Sequence, residues 1–358
     1  MRVRRAGARA LPAVAVTMAV TVVGGLLAGC STGGGGADGT DKGSRNLVAG
    51  ASTGPTAAPS RLAPGMGAEE PDGTFPRTVK HVVGTTEVRE APARIAVLST
   101  GQLDDLLTLG VTPTAATRAE NGGLVPGYLR TAFPDRRERL AEMTDVGTRN
   151  APNLEALSAA RPDLILANAS LKALYPKLSK IAPTVLTQGQ GINWKRDLLL
   201  VGAAVGKGER ARKVLDAYEK KAAADGVSGA AGAAGVSMVR FTADRTRMFG
   251  VSSFTGSIAV DMGLSRPASQ RFRAISQDIS AERIDIADGG WIFYSVQGDP
   301  AKTDAGSVLA GPLWKSLKAV KAGHAVRVDD DAWYLNAGPT AARLVADELA
   351  DSLGGTSE

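Results

Sequence analysis

The sequence predicts an α/β protein built from two similar lobes that a single long helix connects. The connecting helix is predicted from Glu209 to Asp225, where apolar side chains recur with the period of a helix and charged side chains fill the other faces. The apolar positions are Ala211, Val214, Leu215, Tyr218 and Ala222. At 1.5 Å per residue this run spans roughly 25 Å, enough to bridge two small domains. Similar strand and helix patterns precede and follow it in the same order, which predicts two lobes of like architecture.

Each half begins with a short apolar strand that leads into a helix. In the first half the strand is RIAVLST (Arg94–Thr100), and the helical pattern DDLLTLGV follows it. In the second half the strand is VSMVRFT (Val236–Thr242), and a turn leads from it to GSIAVDMGLSRP. A capped helix and an apolar strand come next, in VGTRNAPNLEALSAARPDLILAN and in AISQDISAERIDIADGGWIFYSV.

Each half ends with a further helix and strand and then with an aromatic entrance to a helix. The helix–strand pairs are LYPKLSKIAPTVLTQ and GPLWKSLKAVKAGHAVRVD, and the aromatic entrances are NWKRDLLLVGAAVG and AWYLNAGPTAARLVADEL. Alternating strands and helices predict parallel sheets covered by helices. We therefore expect two Rossmann-like lobes with a ligand cleft between them, lined by residues at the carboxyl ends of the strands.

The first 29 residues have the pattern of a signal peptide. Four arginines precede an apolar stretch from Leu11 to Leu27, and the segment ends in Leu-Ala-Gly before Cys30. This ending resembles the lipobox of bacterial lipoproteins, in which the cysteine is diacylated and becomes the mature N-terminus. An uncleaved transmembrane anchor is disfavoured because no basic stop-transfer cluster follows. Cys30 is the only cysteine, so we expect it to be the lipid attachment point.

The remaining boundaries follow from composition and periodicity. Residues 30–75 are rich in Gly, Ala, Ser, Thr and Pro without apolar periodicity, which predicts a flexible tether. The N-terminal lobe is predicted at 76–208, opening with a hairpin around Gly84, and the C-terminal lobe at 226–358. The connecting helix occupies 209–225 between them.

The chemistry-bearing residues give little support to an enzyme, a metal site or a nucleic-acid site. The formal charge of +6 overstates basicity because four arginines lie in the signal peptide, so nucleic acid is not an expected partner. The two histidines, His81 and His324, are expected to be solvated surface residues rather than ligands. The string Gly250-Val251-Ser252-Ser253-Phe254 lacks the second glycine of a nucleophile elbow. We predict no catalytic residue, metal ligand or cofactor.

Two glutamates occupy equivalent positions in the two halves. Asn153-Leu154-Glu155 opens one helix and Ser280-Ala281-Glu282 opens its counterpart, each with an N-cap residue before the glutamate. One interpretation is that each carboxylate complements a helix dipole. The other is that Glu155 and Glu282 form a matched pair of exposed carboxylates at the two lobe tips.

From about Arg94 to Leu353 the chain resembles the substrate-binding lipoproteins of iron–siderophore ABC importers, the class with a rigid interlobe helix. The matching stretches are PARIAVLS, LLTLGV, VGTRNAPNLEALSAARPDLIL, LSKIAPTV, AVGKGERARKVLDAYE, ISAERI, GPLWKSLKAVKAGHAVRVD and AWYLNAGPTAARLVADEL. The resemblance implies capture and delivery of a ferric siderophore without catalysis. It implies a monomer that is lipid-anchored on the extracytoplasmic face of the cell membrane, with an ABC permease and its ATPase as partners. It also implies that Glu155 and Glu282 dock on arginines of the permease.

The resemblance also suggests ligand contacts. VGTRNAPNLEAL is similar to the ferric-hydroxamate binders, in which the arginine before the PNLE helix contacts the iron-bound oxygens, and here this is Arg149. Trp333 matches an aromatic residue that stacks on the ligand, although simple packing is an equal alternative. Leu335 departs from the pattern, because some hydroxamate binders have a second aromatic residue there. Topology adds further candidates at strand ends and cleft-facing helix starts: Arg118, Asn168, Trp194, Arg240, Arg273 and Gln297.

The predicted ligand is a ferric siderophore, with hydroxamate types favoured. A catecholate siderophore, haem or cobalamin remains an alternative, and the number of arginines in the cleft would distinguish a highly anionic catecholate. A secreted lipoprotein enzyme on the same scaffold is the alternative from another class, since fold alone does not determine function. Trp291, Phe293 and Trp314 are expected to pack inside their lobe.

Overall fold

The computed structural model describes residues 57–120, 122–226 and 235–354. The predicted signal peptide at 1–29 and the predicted lipidation site at Cys30 lie outside these residues. No helix in the described part of the chain has the length and apolar character needed to cross a membrane.

The N-terminal lobe contains a two-stranded hairpin and a six-stranded sheet. The hairpin pairs β1 (Arg77–His81) with β2 (Gly84–Val88). The elements that follow are β3 (Ile95–Val97), α1 (Thr100–Thr108), β4 (Ala115–Arg118), α2 (Gly127–Ala132), α3 (Arg137–Ala141), β5 (Thr144–Thr148), β6 (Ala151–Pro152), α4 (Leu154–Ala159), β7 (Leu164–Asn168), α5 (Tyr175–Ile181), β8 (Thr184–Thr187) and α6 (Trp194–Ala204). The sheet order is β6-β5-β4-β3-β7-β8, and all pairs are parallel except β5 with β6. The apolar run of β7 is buried on both faces, as in a sheet covered by helices.

The connecting helix is α7 (Gly208–Ala224), within one residue of the predicted bounds. Four of the five apolar positions are buried, and Val214 is half-buried. Periodicity was sufficient to predict α7, because this helix packs one apolar face against the core and has charged side chains on its other faces.

The C-terminal lobe contains a five-stranded sheet. Its elements are β9 (Val236–Phe241), β10 (Thr246–Phe249), α8 (Phe254–Asp261), β11 (Ser276–Ile279), β12 (Trp291–Val296), α9 (Ala305–Ala310), α10 (Pro312–Ser316), α11 (Lys318–Lys321), β13 (Ala325–Arg327) and α12 (Pro339–Gly354). The order is β11-β10-β9-β12-β13. The pairs β9–β12 and β12–β13 are parallel, whereas β9–β10 and β10–β11 are antiparallel.

The expected α/β fold of two lobes is confirmed, but both sheets contain antiparallel pairs, which make up two of the four pairs in the second sheet. The difference arises at β10, a four-residue strand too short for its periodicity to be recognised, which forms a hairpin with β9. The predicted helix at Ser280 is a short 3-10 helix, Ala281–Ala287, and the Ser280 side chain makes no capping hydrogen bond.

The last helix joins the two lobes a second time. The Asp104 carboxylate on α1 accepts hydrogen bonds from the backbone N–H groups of Thr340 and Ala341, each at 3.0 Å, and so caps α12. Gly338 permits this approach, since a Cβ atom there would lie 2.5 Å from that of Asp104. The lobes are therefore tied together by α7 and by the α1–α12 contact, which favours small tilts over wide closure.

The segment 57–75, predicted as part of the tether, packs against α6 and α7. Asp72 accepts hydrogen bonds from Gly208 N at 2.7 Å and Glu209 N at 3.0 Å, and so caps the start of α7. The carbonyl of Ser60 accepts from Arg212 Nη1 at 2.8 Å. The folded part therefore extends further toward the N-terminus than composition predicted, because the Asp72 carboxylate, a backbone carbonyl and apolar side chains such as Leu62 and Phe75 make contacts that composition does not reveal.

His81 is buried, which contradicts the expectation of a solvated surface residue. It is 4% exposed, its Nε2 lies 2.9 Å from Thr86 Oγ1, and its ring meets Tyr175 edge-on. Burial lowers the pKa of His81 to about 4. His324 is half-buried, with its ring stacked on Trp291 at a centroid distance of 4.0 Å.

We expect the buried His81 to make the protein less stable as the pH falls from about 6.5 to about 4. In this range the unfolded chain takes up a proton on His81 while the folded chain does not, so the stability present above pH 6.5 is progressively lost. Urea unfolding at pH 7 and pH 5 will measure a loss on the order of 2 kcal/mol from this group. The His81→Gln variant serves as a control, because it has no titrating group at this position and will show a shallower dependence on pH. If the free energy of unfolding depended equally on pH in both proteins, the lowered pKa of His81 would be contradicted.

Candidate ligand-binding cleft

A cavity of about 210 Å³ lies between the two lobes. The N-terminal lobe contributes residues at the ends of parallel strands: Ser99 after β3, Asn168 at the end of β7 and Thr187 at the end of β8. The C-terminal lobe contributes Phe249 at the end of β10 and Phe254 at the start of α8. The cavity therefore lies where the strand order predicted a ligand site.

Arg149 brings a positive charge to this cavity. It lies in the turn between β5 and β6, half-buried, and its backbone N–H donates to Arg118 O at 3.0 Å. Its guanidinium makes no hydrogen bond or ion pair within the described residues. Burial, followed by the nearby charge of Arg240, lowers the pKa of Arg149, and Glu120 partly opposes this. A guanidinium that lacks a protein partner and lines a cavity is suited to bind ligand oxygens.

Two predicted tryptophans line the cavity but are anchored in the core. Trp333 has no exposed surface; its ring stacks on Phe293 at 5.2 Å, and its Nε1 donates to Glu348 at 2.6 Å. Trp194, at the start of α6, donates from Nε1 to Ser257 Oγ at 3.2 Å. The arrangement of Trp333 fits the packing alternative, and its stacking on a ligand stays a prediction.

Tyr334, which was not among the predicted site residues, is a half-buried aromatic residue of this wall. A π-helical turn, Asp331–Leu335, places Trp333 in the core and Tyr334 at the cavity. Its ring lies 4.5 Å from that of Phe249 at 36°. The two adjacent aromatic residues, Trp333 and Tyr334, were the only indication of this wall in the sequence. The geometry of the turn decides which of the two rings packs into the core.

The floor of the cavity is acidic, and its residues were not among those predicted from the sequence. Gln102 and Asp105 on α1 and Asp197 on α6 line it. Asp197 accepts hydrogen bonds from Gln188 N at 2.9 Å and Gly189 N at 2.7 Å, while burial raises its pKa to about 6. Burial, followed by the negative charges of Asp104 and Asp197, raises the pKa of Asp105 well above its usual range.

Of the remaining candidates, Asn168 lines this cavity, whereas Arg118, Arg240, Arg273 and Gln297 do not. Arg118 pairs with Asp145 at 3.3 Å, and Arg240 is engaged by Asp330 through two hydrogen bonds at 2.7 and 2.6 Å. Gln297 Nε2 donates across the lobes to Glu120 O at 3.4 Å, and Arg273 is an exposed residue before β11. Asn168 does line the cavity and donates from Nδ2 to Ser99 Oγ at 3.1 Å. Direct ligand contacts by all of these residues stay predictions.

Glu155 and Glu282 are both exposed, and each follows a cleft-lining segment closely. Glu155 comes six residues after Arg149, at the start of α4, where Asn153 Oδ1 accepts hydrogen bonds from Glu155 N and Ala156 N at 3.0 Å. Glu282 comes seven residues after Ile275, which also lines the cavity. Both carboxylates are therefore accessible, one on each lobe.

Among the described residues, no group of three or more His, Cys, Asp or Glu side chains is arranged to hold a metal ion.

A two-lobed α/β protein with a cavity at the carboxyl ends of its strands has the architecture of a solute-binding protein. The sequence profile described as periplasmic binding protein matches residues 95–332, and the chain belongs to this family. Members of the family are substrate-binding proteins rather than enzymes.

Individual relatives cover most of the chain. The probable siderophore-binding lipoprotein YfiY of Bacillus subtilis (strain 168) is 33% identical, over 76% of this chain and 86% of YfiY. The Fe(3+)-citrate-binding protein YfmC of the same organism is 28% identical, over 72% and 79%. Its iron(3+)-hydroxamate-binding protein FhuD is 26% identical, over 72% and 80%. The crystal structure of Staphylococcus aureus SirA complexed with staphyloferrin B superposes with a TM-score of 0.66 at 30% identity, covering 77% of this chain and 98% of SirA.

Proposed function

We propose that this protein captures ferric siderophores and delivers them to an ABC permease and its ATPase. The observation that carries the proposal is the half-buried Arg149, which faces an interlobe cavity without a protein partner. Oxygen atoms bound to iron(III) retain negative charge, and a guanidinium donates to such oxygens in a planar fork. The relatives described as siderophore-binding and hydroxamate-binding support this ligand class.

The charges of the cavity favour a hydroxamate chelate. Arg149 is the one arginine that lines the cavity in the described part of the chain, and Asp105 and Asp197 line it as well. Three hydroxamates balance the charge of iron(III), whereas three catecholates leave an excess of three negative charges. A buried excess of that size requires several cations, which this cavity does not offer.

The remaining parts of the proposal concern placement in the cell. Cys30 carries a lipid that holds the monomeric protein on the extracytoplasmic face of the membrane. Glu155 and Glu282 dock on the permease, one carboxylate from each lobe. Both glutamates are exposed and close in sequence to cavity-lining residues, which supports this role.

Ligand titration followed by intrinsic fluorescence will test the ligand class. We expect a ferric trihydroxamate such as ferrioxamine B to quench Trp and Tyr emission saturably at one molecule per protein. A ferric triscatecholate is expected to bind far more weakly, because its negative charge meets one arginine and two acids. Unchelated iron(III) is expected not to bind. Tight binding of the catecholate or of free iron, with none for the hydroxamate, would contradict the proposal.

A further inference from the structure

The Gln102 side chain lines the cavity floor, and hydrogen bonds fix the orientation of its amide. Its Nε2 donates to Ala167 O at 2.7 Å and lies 3.3 Å from Thr187 Oγ1, so the two ends of the amide are distinguished by their partners. Gln102 is 2% exposed, and its Oε1 has no hydrogen-bond partner. A buried acceptor left unpaired is costly, and a ligand donor would satisfy it.

Asp105 lies one turn further along α1 and presents a second unpaired acceptor. It is 1% exposed, and its Oδ1 has no hydrogen-bond partner. The adjacent Asp104 on the same helix differs, because its oxygens accept from Thr340 N, Ala341 N, Thr108 Oγ1 and Tyr128 Oη. The fold therefore supplies hydrogen-bond partners for the carboxylate of Asp104, whereas it leaves Oδ1 of Asp105 without one.

The electrostatic surroundings of Asp105 select the charge of a partner. The charged groups that act on it are Asp104 on the same helix and Asp197 on α6, and both are acids. Asp197 is already held by two backbone N–H groups and lines the same floor. An anionic ligand group is disfavoured next to these acids, whereas a cation is favoured.

A primary ammonium fits these requirements. It carries one positive charge and three N–H donors with no acceptor, so it can donate to Gln102 and Asp105 together. A hydroxyl has a single proton to donate and would leave one acceptor unpaired. On the basis of the proposed function, we propose that the Gln102–Asp105 floor is a subsite for a primary ammonium group carried by the siderophore. Arg149 then contacts the iron-bound oxygens from the wall of the cavity.

The protonation of the empty floor is consistent with this assignment. Burial, followed by the two neighbouring acids, raises the pKa of Asp105, so its carboxyl takes up a proton more readily than an exposed one when no cation is present. An arriving ammonium replaces the proton on Asp105, which leaves to solvent, and a buried ion pair forms.

Two chelates that differ only at this group provide the test. Ferrioxamine B has a primary ammonium at one end, and its N-acetyl derivative has a neutral amide there. We expect wild-type protein to bind ferrioxamine B about tenfold or more tightly than the acetylated chelate, as for a hydrogen bond between charged groups. In Asp105→Asn the preference is expected to fall to near unity, because Asn keeps the shape but loses the charge. Isothermal titration calorimetry measures the four affinities.

Asp104→Asn is the matched control, since it removes an equally buried acid from the same helix without changing the cavity lining. It is expected to lower the melting temperature and to retain the preference for the ammonium. Circular dichroism will show whether Asp105→Asn is folded, and it should be at least as stable as wild type because it removes an unpaired buried acid.

Equal affinities of wild-type protein for the two chelates would overturn the subsite and leave the proposed hydroxamate function standing. A preference that survives in Asp105→Asn would also overturn it. Failure of both chelates to bind wild-type protein would overturn the proposed function together with the subsite.

Discussion

Cells that carry the Glu155→Ala, Glu282→Ala double variant are expected to take up ferric siderophore at about a tenth of the wild-type rate or less, since the loss of a docking charge pair costs several kcal/mol. Both carboxylates are exposed, one on each lobe. Binding of the siderophore by the purified variant is expected to be unchanged, because neither side chain lines the cavity. Uptake of iron-55 chelate by cells that lack the wild-type protein measures the first quantity, and fluorescence titration measures the second.

The control for lost charge is the Glu142→Ala, Asp351→Ala double variant. Both acids are exposed, and neither lies in the helix that begins near Glu155 or in the one that contains Glu282, because Glu142 follows α3 and Asp351 lies near the end of α12. This variant is expected to support normal uptake. Each single variant at Glu155 or Glu282 should lose less than the double variant, since one lobe keeps its anchor. Normal uptake by the Glu155→Ala, Glu282→Ala double variant would contradict the docking role and leave both carboxylates with the alternative role of complementing a helix dipole.

Arg149→Ala is expected to weaken binding of ferrioxamine B by about 1.5–3 kcal/mol, or roughly tenfold to a hundredfold, the usual contribution of a hydrogen bond to a charged group. The fold should be unaffected, because the guanidinium makes no hydrogen bond or ion pair within the described residues. Arg149→Lys should recover part of the affinity, since an ammonium keeps the charge but loses the planar fork. Calorimetry measures the affinities, and melting temperature reports on the fold.

Arg139→Ala is the matched control for Arg149, because Arg139 is an exposed arginine on α3 that does not line the cavity. It is expected to leave the affinity unchanged. Arg149→Ala should also weaken the binding of ferrioxamine B and of its acetylated derivative by the same factor. Asp105→Asn should instead change the ratio of the two affinities. Wild-type affinity in Arg149→Ala would remove this residue from the proposed site.

The candidate site was predictable where local pattern decides position. Arg149 and Asn168 line the cavity, as expected of residues that follow strands of the parallel sheet. Prediction was poorer in the second lobe, because β10 and β11 reverse the chain direction. There the rule that ligands meet the carboxyl ends of parallel strands no longer applies to every strand, and Arg240 is instead engaged by Asp330.

The sequence by itself determined the order of the longer strands and helices, the helix α7 and the position of Arg149 before α4, because each depends on periodicity or capping within a few residues. Only the tertiary structure decided the environment of Asp105. In the sequence this residue belongs to the pair Asp104-Asp105 on a helix, where acids are expected to face solvent. Helix α6 covers one side of α1 and α12 covers another, and these elements are distant along the chain. Burial on several faces, which no local pattern encodes, turned one acid into a helix cap and left the other facing the cavity.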